Sequence, residues 1–302
     1  MHRWHAIALI LFFFTACVNS SFEDNYHYVE IEVLDEIEVL ENEASLSVIQ
    51  TSSPEEPVHV SAILEDPYLE GLDLAYGYLE CTEEYEIAFS RFKIAIDPGH
   101  QERGNYNREP IGPGASEYKA RVASGTRGVS TAVPEYQLVL YISLKLRDEL
   151  QSRGFDVFMV RETHDVDISN SERAIMASES GADIFVRIHA NGSQNRDVHG
   201  IMTLSSSMNN PFIPHLYEQS RALSEYILDA MLDATGAGNL GVIEVDNMTG
   251  SNWSTIPVSI VEMGFMTNPR EDELMQTAEY QEKLVIGMAN GIEGYFLEWG
   301  GK

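Results

Sequence analysis

Two histidines and two glutamates stand where a chain could gather them for hydrolysis. His100 follows Ile94-Ala95-Ile96-Asp97-Pro98-Gly99, His189 closes Phe185-Val186-Arg187-Ile188, and Glu262 follows Val258-Ser259-Ile260-Val261. Glu135 comes directly after Pro134, at the head of a long amphipathic stretch. Imidazole nitrogen and carboxylate oxygen suit Zn2+, and catalytic zinc sites keep three protein ligands and one open position. His100, Glu135 and His189 meet that demand if the two strands are neighbours and the helix starts beside them. A zinc held this way brings the pKa of water toward ~7, so that a nucleophile exists at neutral pH. A further carboxylate must then accept a proton and pass it to the leaving amine. Glu262 is the candidate catalytic residue, since burial after an apolar strand raises a carboxyl pKa.

Taken singly, these residues carry little weight. A lone histidine at a strand end is more often simply hydrogen-bonded, and Glu135 beside Pro134 favours the helix dipole with or without a metal. The other seven histidines have no comparable setting. No competing catalytic pattern is present either: the chain lacks a P-loop, a Gly-x-Ser-x-Gly elbow and a catalytic-cysteine setting.

Convergence requires that the four residues sit at fixed ends of packed elements. Residues 92–96 read as a buried strand closed by a Pro-Gly turn, and ligands collect at such carboxyl ends in open α/β sheets. A Gly-, Pro-, Ser- and Arg-rich loop spans 101–133, a length that in compact domains is often functional. Pro134 then opens a helix at its preferred first turn, with Leu138, Ile142, Leu146 and Leu150 on one stripe and Gly154 as the stop. A strand is expected over 155–160. Ser169 and Glu172 form a capping box for the next helix. The strands leading to His189 and Glu262 are expected to end at those residues. Further strands are expected over 201–204 and, at an edge, 242–245, with helices over 214–234 and 278–299. This alternation predicts an α/β fold: one three-layer domain over 91–302, its mixed, mostly parallel sheet covered by helices on both faces.

The 302-residue chain carries a formal charge of −29, distributed unevenly. Residues 18–90 hold 19 acids and no lysine or arginine, whereas 91–302 hold 29 acids and 18 bases. Nucleic-acid binding needs a basic footprint and is excluded on this balance. The acidic segment is expected to be a disordered tether, the alternative being a small separate domain. Residues 1–17 read as a signal peptide: a short basic start, an apolar run from Ala6 to Phe14, then Thr15-Ala16-Cys17. That run is shorter than the roughly 20 residues a spanning helix takes. Export to the cell surface is the expectation, with Cys17 as a lipid anchor in a lipobox-like setting and a monomeric protein beyond it. The lipid would leave Cys81 unpaired; a Cys17–Cys81 bridge is the other possibility.

Four ordered motifs, Ile96-Asp97-Pro98-Gly99-His100, then Glu135, then Arg187-Ile188-His189-Ala190-Asn191-Gly192, then Val261-Glu262-Met263-Gly264-Phe265-Met266-Thr267-Asn268, cover about two hundred residues. Together with Val160-Arg161 and Glu172-Arg173, this order resembles the zinc-dependent N-acetylmuramoyl-L-alanine amidases of bacterial cell walls. The resemblance implies zinc at His100, Glu135 and His189, Glu262 as the catalytic glutamate, and peptidoglycan as partner. The reaction implied is hydrolysis of the amide joining N-acetylmuramic acid to L-alanine. Asn191, Arg108 and Arg127 are candidates to meet substrate. The chain differs from the family pattern at Gln101-Glu102, where Gly-Gly is usual, and in the length of the 101–133 loop. Two other readings share the four residues: an exported zinc carboxypeptidase-like enzyme and a peptidoglycan-binding relative without catalysis.

Overall fold

The computed structural model describes residues 92–300 and, before them, the backbone of β1 (Ala16–Glu23), β2 (Tyr26–Val33), β3 (Ser47–Val48) and β4 (Val58–Ile63). These four strands pair antiparallel in the order β1-β2-β4-β3 within a unit spanning Met1–Ala88. This paired backbone falls within the stretch read from the sequence as a tether or a small separate domain. Its sequence basis is the alternation of Val29, Ile31 and Val33 with Glu30 and Glu32, the period a strand requires. The apolar run of the signal-like segment and Cys81 lie outside the described residues.

The second unit, Phe89–Lys302, holds the site. Its sheet contains β5 (Lys93–Pro98), β8 (Asp156–Met159), β9 (Ile184–Asn191), β10 (Ile201–Ser205), β11 (Asn239–Glu244) and β12 (Val258–Phe265), in the order β11-β10-β12-β9-β5-β8. β8, β5, β9 and β12 run parallel, and β10 turns antiparallel to β12 with β11 parallel beside it at the edge. The expected mixed, mostly parallel α/β architecture is therefore present. A two-stranded hairpin, β6 (Asn105–Pro110) with β7 (Tyr118–Val122), lies inside the stretch expected to be one long loop.

Helix α1 (Glu135–Ser152) starts after Pro134 and buries Leu138, Ile142, Leu146 and Leu150. It packs on β5, β8 and β9, while α3 (Tyr217–Thr235) packs on β10 and β12, and α6 (Ala278–Trp299) lies against both helices. Helix α2 (Asn170–Glu179) begins at the expected capping box, Ser169 Oγ accepting from Glu172 N at 3.2 Å and Ser169 N donating to Glu172 Oε2 at 2.7 Å. Its Ala174 and Ala177 join Ala95, Phe185 and Val258 in one buried cluster. Those three strand residues stand side by side in register. Because strand side chains alternate, the face that α2 covers also carries Asp97, Arg187, His189, Ile260 and Glu262 farther along. Short helices α4 (Thr249–Asn252) and α5 (Pro269–Leu274) complete the unit.

His189 and Glu262 lie inside β9 and β12 rather than at their ends, two and three residues short of the carboxyl termini. The two strands stay paired past the site, reaching Phe265 opposite Asn191 after a register shift.

Candidate metal centre

Three elements deliver three donor atoms to one point. His100 lies two residues beyond β5, at φ 59°, the left-handed region that residues with a Cβ seldom occupy. Its Nδ1 faces the Ala123 carbonyl at 2.9 Å, which assigns the proton to Nδ1 and leaves the Nε2 lone pair for the site. Glu135, the first residue of α1, presents Oε1 at 3.0 Å from His100 Nε2 and 3.2 Å from His189 Nδ1. The two imidazole nitrogens are themselves 3.2 Å apart. Donors held at roughly 2.0–2.2 Å by a tetrahedral ion stand about 3.3–3.6 Å from one another, so these three would need to move only slightly apart to take one. His100, Glu135 and His189 could hold a metal ion.

The surrounding backbone fixes this triangle. Glu135 Oε2 accepts from Thr126 N at 2.8 Å, and Oε1 from Ala190 N at 3.2 Å. Glu135 N in turn donates to Thr126 O at 3.0 Å, so the return of the long loop is stitched to the start of α1. Gly125, at φ 80°, is required there: a Cβ would stand 2.8 Å from Glu135 Oε2. Gly99 is required for a different reason, since a Cβ at that position would meet His189 Cε1 at 2.3 Å.

Charge states favour metal binding. Burial pushes the Glu135 carboxyl up, but hydrogen bonds and charge from His100 and His189 outweigh it and hold Glu135 well below the usual carboxylate range. Burial lowers His189 to about 4 against the pull of Glu135, which keeps its imidazole neutral at physiological pH. An ionised carboxylate and a neutral imidazole are the forms that ligate metals. Glu262 stands directly across from His189 in the sheet register. Burial, and then the negative charge of Glu135, raise its carboxyl well above the ordinary value, with Arg187 opposing. Glu262 Oε2 and His189 Nε2 are buried polar atoms without a protein partner. Buried polar groups are normally satisfied, so these two mark a place built to receive something polar.

The four residues line one cleft of about 950 Å³. Hairpin β6–β7 forms one wall and is firmly tied down: Arg121 Nη2 meets Glu172 Oε2 at 2.8 Å, Lys119 Nζ donates to Asn247 O at 2.7 Å, and Trp253 Nε1 to Pro110 O at 3.1 Å. Arg108 lines this wall and donates to the Tyr118 carbonyl. Asn191 also lines the cleft, its Oδ1 accepting from Gly192 N at 2.7 Å. Arg127 is not brought there; its Nη1 folds back to the Ala132 carbonyl at 2.7 Å. The stretch 123–126, which contacts His100 and Glu135, was not singled out from the sequence. Its only signal there is one glycine in a polar loop. Gln101, one of the departures from the family pattern, is buried, with its Oε1 accepting from Ile168 N and Arg173 Nη2 at 3.1 Å each.

A family model described as N-acetylmuramoyl-L-alanine amidase matches residues 94–294. Protein YqiI of Bacillus subtilis (strain 168) is 27% identical over 207 residues, covering 67% of this chain and 84% of that protein. N-acetylmuramoyl-L-alanine amidase AmiA of Salmonella typhimurium is 25% identical over 246 residues, covering 68% and 77%. Among solved structures, the N-acetylmuramyl-L-alanine amidase Ami1 of Mycobacterium smegmatis superposes with a TM-score of 0.62 at 25% identity, covering 69% of this chain and 98% of that one. With the matched segment spanning about two thirds of its length, the chain belongs to the N-acetylmuramoyl-L-alanine amidase family.

Proposed function

We propose that this protein cleaves the amide between N-acetylmuramic acid and L-alanine of peptidoglycan, with zinc held by His100 Nε2, Glu135 Oε1 and His189 Nδ1. The observation that carries the reading is the donor triangle of 3.0–3.2 Å with Glu262 in register beside it. One carboxylate and two imidazoles suit zinc better than they suit magnesium or calcium, which prefer oxygen ligands throughout. Bound there, zinc supplies Lewis acidity toward the scissile carbonyl and toward water. Glu262 takes a proton on its free Oε2 from the attacking water and returns it to the departing alanine nitrogen. Burial raises the proton affinity of this carboxyl above that of a solvated one, which favours taking up the proton that it then passes on. Asn191 and Arg108 meet substrate along the cleft wall, and the hairpin keeps bulk water from one side of the reaction.

The protein is read as exported. Residues 1–17 act as its signal, Cys17 carries a lipid, and the acidic segment 18–90 is a spacer dispensable for chemistry. The support is the run of sequence alone, together with relatives that include a cell wall amidase. A defined muropeptide tests the function directly: the expected products are a free lactyl carboxylate on the sugar and a peptide with a free L-alanine amine. Release of a C-terminal amino acid instead would identify a carboxypeptidase.

A further inference from the structure

Arg161 touches none of the three metal-site side chains, yet it grips the backbone beside two of them. It follows β8 and is buried, 3% exposed. Its Nε donates to Pro98 O at 2.8 Å, and its Nη1 to Thr163 O at 3.0 Å. Its Nη2 donates both to Gly99 O at 2.9 Å and to Tyr136 O at 3.0 Å. Gly99 precedes His100 and Tyr136 follows Glu135, so one planar group spans two ligand elements. Arg173, fully buried on α2, holds the same turn from another side. Its Nη1 reaches Asp97 Oδ1 at 2.6 Å and Pro98 O at 2.9 Å, and its Nη2 reaches His100 O at 2.8 Å and Gln101 Oε1 at 3.1 Å. With Nε on Ile168 O at 3.1 Å, all five guanidinium donors are used. The third element joins through Asp97, whose Oδ2 accepts at 2.9 Å from Arg187 Nε, two residues before His189.

We propose that Arg161 and Arg173 are positioning residues of the metal centre, holding the backbone around His100 and just after Glu135 so that the donor triangle is formed before the ion arrives. This rests on the reading that the triangle binds metal. His100 sits in a left-handed conformation, and such a residue persists only where its surroundings over-determine it. The carbonyls of Pro98, Gly99 and His100 all end on guanidinium donors, which supplies that constraint. Among the described residues, the hydrogen bonds of Arg161 all end on backbone carbonyls, so its work is geometric rather than that of an ion pair. Lysine could not copy it, because three donors on one nitrogen cannot reach Pro98, Gly99 and Tyr136 together.

The test uses Arg161→Lys and Arg173→Lys in the full mature protein, with Arg153→Lys at a surface ion pair as control. Zinc affinity is read by chelator competition, and ligand geometry by the visible spectrum of the cobalt-loaded protein. Groups that orient metal ligands typically carry about 10–100-fold of the affinity, so each variant should weaken zinc binding by that factor and alter the cobalt spectrum. The control should match wild type in both. Variants that bind zinc within about twofold of wild type, with an unchanged cobalt spectrum, overturn the proposal. If Arg161→Lys fails to fold, Arg173→Lys decides. If both remain unfolded with zinc in excess, the arginines hold the domain rather than the centre, and the proposal is likewise overturned. A wild-type protein that takes up no zinc defeats the underlying metal reading instead.

Discussion

Each residue of the site does one separable thing, which makes single substitutions informative. In the proposed mechanism Glu262 carries a proton and is not among the three donor residues, so Glu262→Gln should keep the metal and lose turnover by about 10²–10⁴-fold, the usual share of acid–base assistance. Steady-state rates on a defined muropeptide, alongside metal content, check this; a rate within severalfold of wild type would remove Glu262 from the mechanism. Gly99 contributes only its missing Cβ. Gly99→Ala drives a methyl into the His189 ring, so this variant should lose metal while retaining its helical circular dichroism. Asp97 contributes charge. Burial raises its carboxyl, but Arg173 and Arg187 bring it down from 3.8 to about 2. A carboxyl depressed on folding stabilises the fold fully above its ordinary value, and the benefit disappears as pH falls through its folded value. Denaturation midpoints should therefore drop between about pH 4 and pH 2 in wild type. Asp97→Asn should flatten that dependence and cost about 3–5 kcal/mol at neutral pH, because two buried guanidinium groups lose their counter-charge.

At the scale of elements, legibility followed burial pattern. Helix α1 was readable because its leucine and isoleucine stripe ends at Gly154, and α2 because Ser169 and Glu172 spell out its cap. Hairpin β6–β7 was not readable. Asn105-Tyr106-Asn107-Arg108-Glu109-Pro110 has no apolar alternation, since most of it faces solvent or cleft rather than a core. Arg161, Arg173 and Arg187 belonged to recognisable motifs, but their burial against backbone carbonyls could not be foreseen, because charged residues are seldom fully buried. α5 carried an overlooked signal: Asn268 caps Arg270 N and Glu271 N, followed by Pro269 in the first turn. The hairpin also yields a prediction. Replacing residues 106–120 with a short turn removes Arg108 and Tyr118 from the cleft wall but leaves Ala123 and Thr126 on the ligands. KM for muropeptide should rise more than kcat falls, with metal content unchanged; unchanged kinetics would make the hairpin a structural cover only.

At the scale of the molecule, the chain divides at Ala88–Phe89 into two units, and every residue of the cleft belongs to the second. That unit buries its own core, and among the described residues no helix is long and apolar enough to cross a membrane. A chain beginning near Glu86 should therefore fold and hydrolyse soluble muropeptide as the mature protein does. Aggregation or loss of activity in that shortened chain would mean the acidic unit is part of the catalytic fold.

The most direct measurement is metal content in purified mature protein, for wild type and for His100→Ala, Glu135→Ala and His189→Ala. Wild type should hold close to one zinc per chain, and each substitution should lose most of it, since removing any corner of the triangle leaves two donors. Near-stoichiometric zinc in the His189→Ala protein would contradict the metal centre and, with it, the mechanism built on that centre.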